Sequence, residues 1–245
     1  MFHRLYVPID WCAGATVALP EGATRHTQVL RLQPGDAVVL FNGRGGEWLG
    51  RVAQMARGST VVEVIEQVAV ERELPTAVTL AVGMPANDRM DWLVEKAAEL
   101  GVAAIQPLEC SRSVLRLQGE RASKRVAHWQ AIAVAACEQS GRTAVPEVRA
   151  VLPLLPWLAA GESCLAPSGA RWVLSLREAR PLGEMLASQA GLVSACFLSG
   201  PEGGLSEEEE RAARGAGFAA VSLGPRTLRA DTAPLAALAA VGCCR

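Results

Sequence analysis

A chain of 245 residues, half of them hydrophobic, can bury a sizeable core as one large or two modest domains. No apolar run approaches the roughly 20 residues that cross a bilayer, so the sequence predicts a soluble protein with no membrane partner. The formal net charge of −1 excludes a global basic field, and any binding of nucleic acid has to rest on local patches.

Seven cysteines (positions 12, 110, 137, 164, 196, 243 and 244) and three histidines (3, 26 and 128) show neither metal-type spacing nor a disulfide framework. No metal is predicted, and the thiols read as small buried hydrophobes in a reducing compartment. The opening residues, Met1-Phe2-His3-Arg4-Leu5-Tyr6-Val7-Pro8, enter a strand without the charged, apolar and small-residue order of a secretion signal. A cytoplasmic protein is the resulting expectation.

Residues 1–71 alternate apolar and polar in short runs such as Leu5-Tyr6-Val7, Ala37 to Phe41, Trp48 to Val52 and Thr60 to Val64. Pro34-Gly35-Asp36 and Asn42-Gly43-Arg44-Gly45-Gly46 mark turns, and the whole reads as a small β-barrel. Up to residue 70 its six arginines are balanced by six acids. Glu71-Arg72-Glu73-Leu74-Pro75 breaks the pattern and sets the boundary with a second domain, 72–245.

The second domain alternates strands and helices, the signature of an α/β fold with a parallel sheet. Val78 to Gly83 is the first strand. Asp88 to Leu100 is an amphipathic helix with Asp88 as cap, Met90, Leu93, Val94 and Ala97 on one face, and Gly101 as stop. Ala103 to Leu108 is a strand, and a longer helix runs from about Glu120 to Gln139. Its Trp129 reads as a core or dimer contact rather than a base-stacking platform. Ahead of and within that helix, Arg112, Arg116, Arg121, Lys124 and Arg125 face the single acid Glu120. Pro153 to Pro167 reads as a connection with a short helix, and Trp172 to Leu176 as a strand. Val193 to Leu198 and Phe218 to Leu223 are short buried strands halted by glycine. Between them Ser206 and Glu209 form a capping box, Glu207, Glu208 and Glu210 suit the helix dipole, and Gly215 or Gly217 ends the helix.

Each of these last two strands runs into a distinctive loop, Leu198-Ser199-Gly200-Pro201-Glu202-Gly203-Gly204 and Leu223-Gly224-Pro225-Arg226-Thr227-Leu228-Arg229. The carboxyl ends of parallel strands are where ligands sit, so both loops are predicted to line one crevice. Gly200, Gly203 and Gly204 allow positive φ or close approach of a ligand, although Pro-Glu-Gly-Gly is also an ordinary turn string. Asp231-Thr232 is placed to cap a C-terminal helix despite Pro234 in its first turn. There is no dinucleotide or Walker glycine pattern, so no pyrophosphate cradle is implied.

At these loops the chain resembles the RsmE family of 16S ribosomal RNA uracil-N3 methyltransferases, within the SPOUT superfamily. Gly200 to Gly204 and Leu223 to Arg229 match its two glycine motifs. Glu99-Leu100-Gly101-Val102, Arg112-Ser113 and Glu138-Gln139-Ser140-x-Arg142 with Pro146 match its middle segment, and His26 to Arg31 its N-terminal one. The resemblance implies a SPOUT-type α/β domain with a mostly parallel sheet and a deep trefoil knot, preceded by a PUA-like β-barrel that helps hold RNA. It also implies a homodimer, S-adenosylmethionine as cofactor, and methylation of N3 of one uridine, of the 1498 type, in 16S ribosomal RNA or the small ribosomal subunit. Cofactor contacts are expected from Leu176, Leu198, Gly200, Pro201, Glu202, Gly203, Gly204, Leu223, Gly224, Arg226, Leu228 and Arg229. Arg112, Glu138 and Arg142 are the catalytic candidates: an arginine for charge developing on uracil, a carboxylate for its proton. The i, i+4 spacing of Glu138 and Arg142 equally suits a pair across one helical turn, Glu202 equally suits a turn or dimer contact, and water is an alternative proton acceptor. Arg4, Arg25, Arg31, Arg116 and Arg121 are candidate RNA contacts, with a solvated surface as the alternative. The chain departs from the family at Asp231, Thr227 and the Ala86-Asn87 loop, where Glu, Ile or Val, and Lys-Gly are usual. Another SPOUT methyltransferase and a non-enzymatic RNA-binding assembly protein are the competing functions; the intact glycine loops speak against the second.

Overall fold

The computed structural model describes residues 3–86, 88–160, 169–189 and 191–243. The chain divides into two compact units, Met1–Glu73 with Cys137–Val145, and Leu74–Ala136 with Pro146–Arg245. Residues 137–145, which the sequence assigns to the second domain, therefore group with the first.

The first unit contains β1 (His3–Tyr6), β2 (Thr16–Ala18), α1 (Glu21–Val29), β3 (Ala37–Phe41), β4 (Glu47–Ala56) and β5 (Ser59–Val68). The strands form one sheet in the order β1-β3-β4-β5-β2, with β1 parallel to β3 and the other pairs antiparallel. Period-two patterning makes this sheet one-sided: in β5, Thr60, Val62 and Val64 are buried while Glu63 and Ile65 face solvent. The buried face packs Leu5, Val17, Leu40, Val52 and Val62 together, and α1 closes against β1 and β5. The register of β4 against β5 shifts beside Gly50, where a Cβ would stand 2.9 Å from Val62 Cγ1 and 3.0 Å from the Glu63 carbonyl oxygen. Only glycine fits that bend.

Charge ties residues 137–145 into this unit. The guanidiniums of Arg4 and Arg72 both reach Glu47, and they also donate to the carbonyls of Arg142 (2.9 Å) and Gly141 (2.8 Å). Burial opposes ionisation of Glu47, but hydrogen bonds and charge from Arg72 and Arg4 outweigh it and hold the carboxyl below its usual range. Arg142 is itself buried and grips Glu73. Gly45 N–H donates to Thr143 O and Val145 N–H to Gly43 O, both at 3.1 Å.

The second unit contains β6 (Ala77–Gly83), α2 (Arg89–Glu99), β7 (Ala104–Glu109), α3 (Gly119–Ser140, whose last turn belongs to the first unit), β8 (Glu147–Val148), β9 (Leu152–Pro153), α4 (Leu154–Ala159), β10 (Ala170–Leu174), β11 (Arg180–Pro181), α5 (Leu182–Ala187), β12 (Ser194–Ser199), α6 (Glu207–Gly215), β13 (Ala219–Ser222) and α7 (Thr232–Cys243). The strand order is β11-β13-β10-β12-β6-β7-β8, with β9 also on β7, and every one of these pairings is parallel. Both faces are covered, so alternate residues of one strand enter different cores. In β12, Phe197 packs with Leu80, Met90 and Leu238, whereas Cys196 and Leu198 pack with Ala81, Val173 and Phe218. After β13, on the outer side of β10, the chain returns so that α7 lies against β12, β6 and α2.

Two of the sequence signals act locally as read and a third does not. Gly101 (φ +92°) ends α2, with Val102 N–H bonding Ala97 O and Gly101 N–H bonding Ala98 O. Ser206 and Glu209 make both hydrogen bonds of a capping box. Asp88 sits at the N-cap of α2, but its own backbone is helical and its side chain makes no capping bond. The connection expected from Pro153 contains α4; its residues 161–167, like Cys164 and Cys244, lie outside the described residues.

Trp129 is fully buried, and its indole N–H donates to Asp91 Oδ1 at 2.9 Å, which makes it a core residue rather than a stacking platform. Trp129→Ala is expected to lower the unfolding free energy by about 3–5 kcal/mol in urea titration; a loss under 1 kcal/mol would show that the helix pair can collapse around the gap.

Candidate functional site

Three neighbouring parallel strands, β12, β10 and β13, end on one side of the second unit, and their following loops enclose a cleft of about 740 Å³. Leu174, Leu176, Val221, Leu223 and Leu228 give it apolar walls, while Ser175, Ser199 and Glu210 are polar. Volume and lining suit a small organic molecule with a few fixed polar contacts.

The Gly200–Leu205 loop is packed against itself. A Cβ on Gly200 would stand 2.6 Å from Leu205 N and 2.7 Å from Gly204 C, and Gly204 (φ +68°) returns its N–H to Pro201 O at 2.8 Å. Gly200 is therefore required for the loop to close on its own backbone, before any ligand is considered. Gly83, at the end of β6, serves the same end: its Cβ would fall 2.6 Å from Pro201 Cδ and 2.8 Å from Cys110 Sγ. Burial pushes the Cys110 thiol up to about 12, so it is inert packing.

Two acids brace this loop. Glu209 accepts from Ser111 N–H (2.6 Å), the Ser111 hydroxyl (2.9 Å) and Ser206 N–H (2.8 Å), joining the turn after β7 to the start of α6. Burial disfavours its charge, but these hydrogen bonds prevail and hold the carboxyl below its ordinary value. Glu202 accepts from Ala86 N–H at 2.9 Å and stands 3.8 Å from Arg89.

Of the expected cofactor residues, Leu176, Gly200, Pro201, Glu202, Gly203, Gly204, Leu223, Arg226, Leu228 and Arg229 line the cleft. Leu198 does not: the alternation of β12 turns it into the core with Ala81, Leu108 and Val173. Gly224 (φ +104°) shapes the second loop from outside the lining. Sequence reasoning passed over Ser199, Ser175 and Glu210. Glu210 reads in sequence as one more acid at a helix N-terminus, yet it lines the cleft and accepts from the Ser175 hydroxyl at 2.6 Å. The Ser199 hydroxyl is buried and has no partner among the described residues.

The three catalytic candidates part company. Arg112 lines the cleft, its stem against Gly203 and its Nη1 donating to Gly203 O (2.8 Å) and Leu205 O (3.2 Å). Glu138 and Arg142 belong to the first unit and do not pair with each other as the i, i+4 spacing suggested. Glu138 accepts from Tyr6 N–H at 2.9 Å and lies 3.1 Å from His26 Nδ1, while Arg142 holds Glu73. Among the candidate RNA contacts, Arg4 is turned inward, bound to Glu47 and 5.0 Å above the Phe41 ring. Arg116 pairs with Glu109 at 2.7 Å, Arg25 pairs with Glu21 at the surface, and Arg31 (φ +56°) and Arg121 are exposed.

Residues 72–242 match the family model described as RNA methyltransferase domain, and residues 19–65 that of RNA methyltransferase PUA domain. The ribosomal RNA small subunit methyltransferase E of Synechocystis is 34% identical over 98% of this chain and 77% of its own length; that of Bacillus subtilis is 33% identical over 87% and 84%. The chain belongs to the ribosomal RNA small subunit methyltransferase E (RsmE) family. Two solved structures agree. The Neisseria gonorrhoeae family member bound to S-adenosyl methionine is 37% identical with a TM-score of 0.89, covering 98% of this chain and 96% of that one. A Legionella pneumophila methyltransferase with bound cofactor SAM is 31% identical with a TM-score of 0.90, covering 98% and 97%. The all-parallel unit is thus a SPOUT-type α/β domain and the mixed sheet a PUA-like barrel. Among the described residues no cluster of His, Cys, Asp and Glu is suited to a metal, and no helix is long and apolar enough to cross a membrane.

Because folded Glu209 binds its proton more weakly than the unfolded chain, its contribution to stability is complete above the ordinary value of 4.5 and fades as pH falls through the lowered one. Glu209→Gln is expected to melt earlier at neutral pH and to lose stability less steeply below pH 4.5 than the parent. Parallel acid limbs for the two proteins would contradict this account.

Proposed function

We propose that the protein transfers a methyl group from S-adenosylmethionine to N3 of one uridine in 16S ribosomal RNA, acting in the cytoplasm as a homodimer. The observation that carries this reading is the cleft at the ends of β12, β10 and β13, in a chain of this family, with a buried Ser199 hydroxyl that has no partner among the described residues. The residues present fit the cofactor. Leucines on three loops suit its adenine ring and methylene groups, Ser199 and the Ser175–Glu210 pair offer polar contacts for its hydroxyl and amino groups, and loop backbone is close at hand. When bound, S-adenosylmethionine supplies a methyl carbon activated by a positively charged sulfur.

The protein's own task is to present N3 and to stabilise its charge. Uracil N3 carries a proton and points into a base pair, so the nucleotide has to be unpaired or flipped out. As the proton leaves to water at the cleft mouth, negative charge spreads over N3 and the flanking carbonyl oxygens. The Arg112 guanidinium, held by two carbonyls of the glycine loop, has N–H groups left to meet that charge without reorganising. Glu138 and Arg142 already have partners inside the first unit, so they are assigned to holding residues 137–145 within that unit.

Mass spectrometry of ribosomal RNA from a deletion strain is expected to show one missing 3-methyluridine, restored by the wild-type gene; an unchanged methylation pattern would sink the assignment. Gly200→Ala is expected to abolish S-adenosylmethionine binding in calorimetry, because the loop cannot close. Arg112→Ala is expected to slow methylation about 10²-fold or more. Glu138→Gln is expected to leave the shape of the pH–rate profile unchanged, and loss of its acidic limb would restore Glu138 as the base.

A further inference from the structure

Five arginines line the cleft: Arg89, Arg112, Arg177, Arg226 and Arg229. Three have internal work. Arg112 donates to two carbonyls, Arg177 lies 3.3 Å from Glu207, and Arg89 faces Glu202 at 3.8 Å. The two acids of the lining, Glu202 and Glu210, are likewise occupied, by Ala86 N–H with Arg89 and by Ser175 with Arg214. Arg226 and Arg229 remain. Both are exposed, and neither has an acidic or hydrogen-bonding side-chain partner among the described residues.

Their loop is well placed to hold them apart from one another. Gly224 turns the chain with φ +104°, and the Arg229 carbonyl accepts from Thr232 N–H and Ala233 N–H, both at 3.0 Å, so its backbone is fixed at the start of α7. Between the two arginines, Leu228 is half-buried and lines the cleft. The loop thus presents an apolar residue to the cleft and a guanidinium on either side of it.

Charge decides what these guanidiniums meet. S-adenosylmethionine carries a sulfonium, an ammonium and one carboxylate, a net positive charge, so two unneutralised guanidiniums beside it would oppose its binding. A polynucleotide backbone has the opposite charge, and guanidinium pairs with phosphate bidentately. We propose that Arg226 and Arg229 grip RNA phosphates flanking the target nucleotide, and that the second glycine loop therefore divides its work: Leu223 and Leu228 toward the cofactor, the arginines toward RNA. This rests on the methyltransferase reading above and replaces the expectation that both arginines contact the cofactor.

The test uses the full-length protein, calorimetry with S-adenosylmethionine, and binding of a 16S ribosomal RNA fragment between about 50 and 200 mM salt. Arg226→Gln and Arg229→Gln are each expected to flatten the plot of log affinity against log salt by about 0.7–0.9, while cofactor affinity stays within twofold. Arg226→Lys and Arg229→Lys are expected to restore the slope, because lysine keeps the charge. Cofactor affinity lost with the salt slope intact would overturn the proposal, as would a double Gln variant that binds RNA like the wild type. A wild-type protein that methylates the RNA beside such a double variant would overturn the phosphate grip alone. A wild-type protein that binds the RNA with arginine-dependent slope but transfers no methyl group would overturn the catalytic reading and leave the grip standing.

Discussion

Everything at the cleft depends on backbone packing against backbone in the Gly200–Leu205 loop. A single added carbon at Gly200 would collide with main-chain atoms of Gly204 and Leu205, which cannot rotate away as a side chain does. Gly83 extends the same constraint to the end of the neighbouring strand, where Pro201 and Cys110 fill the space a Cβ would occupy. With the loop closed this tightly, its carbonyls point outward at fixed positions, and two of them hold Arg112. In the proposed mechanism, catalysis by a preorganised charge begins with that closure, since a donor that must reorganise during the reaction contributes little.

In each unit, acids with little exposure act as fasteners. Glu209 joins the turn after β7 to α6, and in the first unit Glu47 and Glu73 gather Arg4, Arg72 and Arg142. The charge of Glu209 survives burial because backbone and hydroxyl donors surround it, that of Glu47 because two guanidiniums do. Such clusters are weak sources of net stability but strong sources of geometric specificity, because removing one member leaves the others buried and unpaired. They explain why residues far apart in the sequence, Arg4 and Arg142 among them, share one compact unit.

The proposed division of labour within the cleft follows from charge and exposure. Val221 and Ser199 are buried, and the Ser199 hydroxyl has no partner among the described residues, whereas Arg226 and Arg229, without acidic partners among those residues, are exposed. A cationic cofactor and a polyanionic substrate require that separation, since the groups that attract one repel the other.

Short-range physics made much of this legible in the sequence. Gly101 ends α2, Ser206 and Glu209 cap α6, and the apolar runs at 194–199 and 219–222 form buried parallel strands, because each signal lies within a few residues of its effect. Both glycine loops and ten of the cleft-lining residues were readable for the same reason. The sequence could not tell that Leu198 turns into the core, since a one-residue step along a strand exchanges its faces. Nor could it distinguish Arg4 and Arg142, buried against acids, from Arg226 and Arg229, left exposed, because an arginine looks alike in sequence whichever partner it finds. Local pattern determined the elements and the loops. Tertiary structure decided which charges were neutralised, because pairing depends on distances in space between residues that the chain holds far apart.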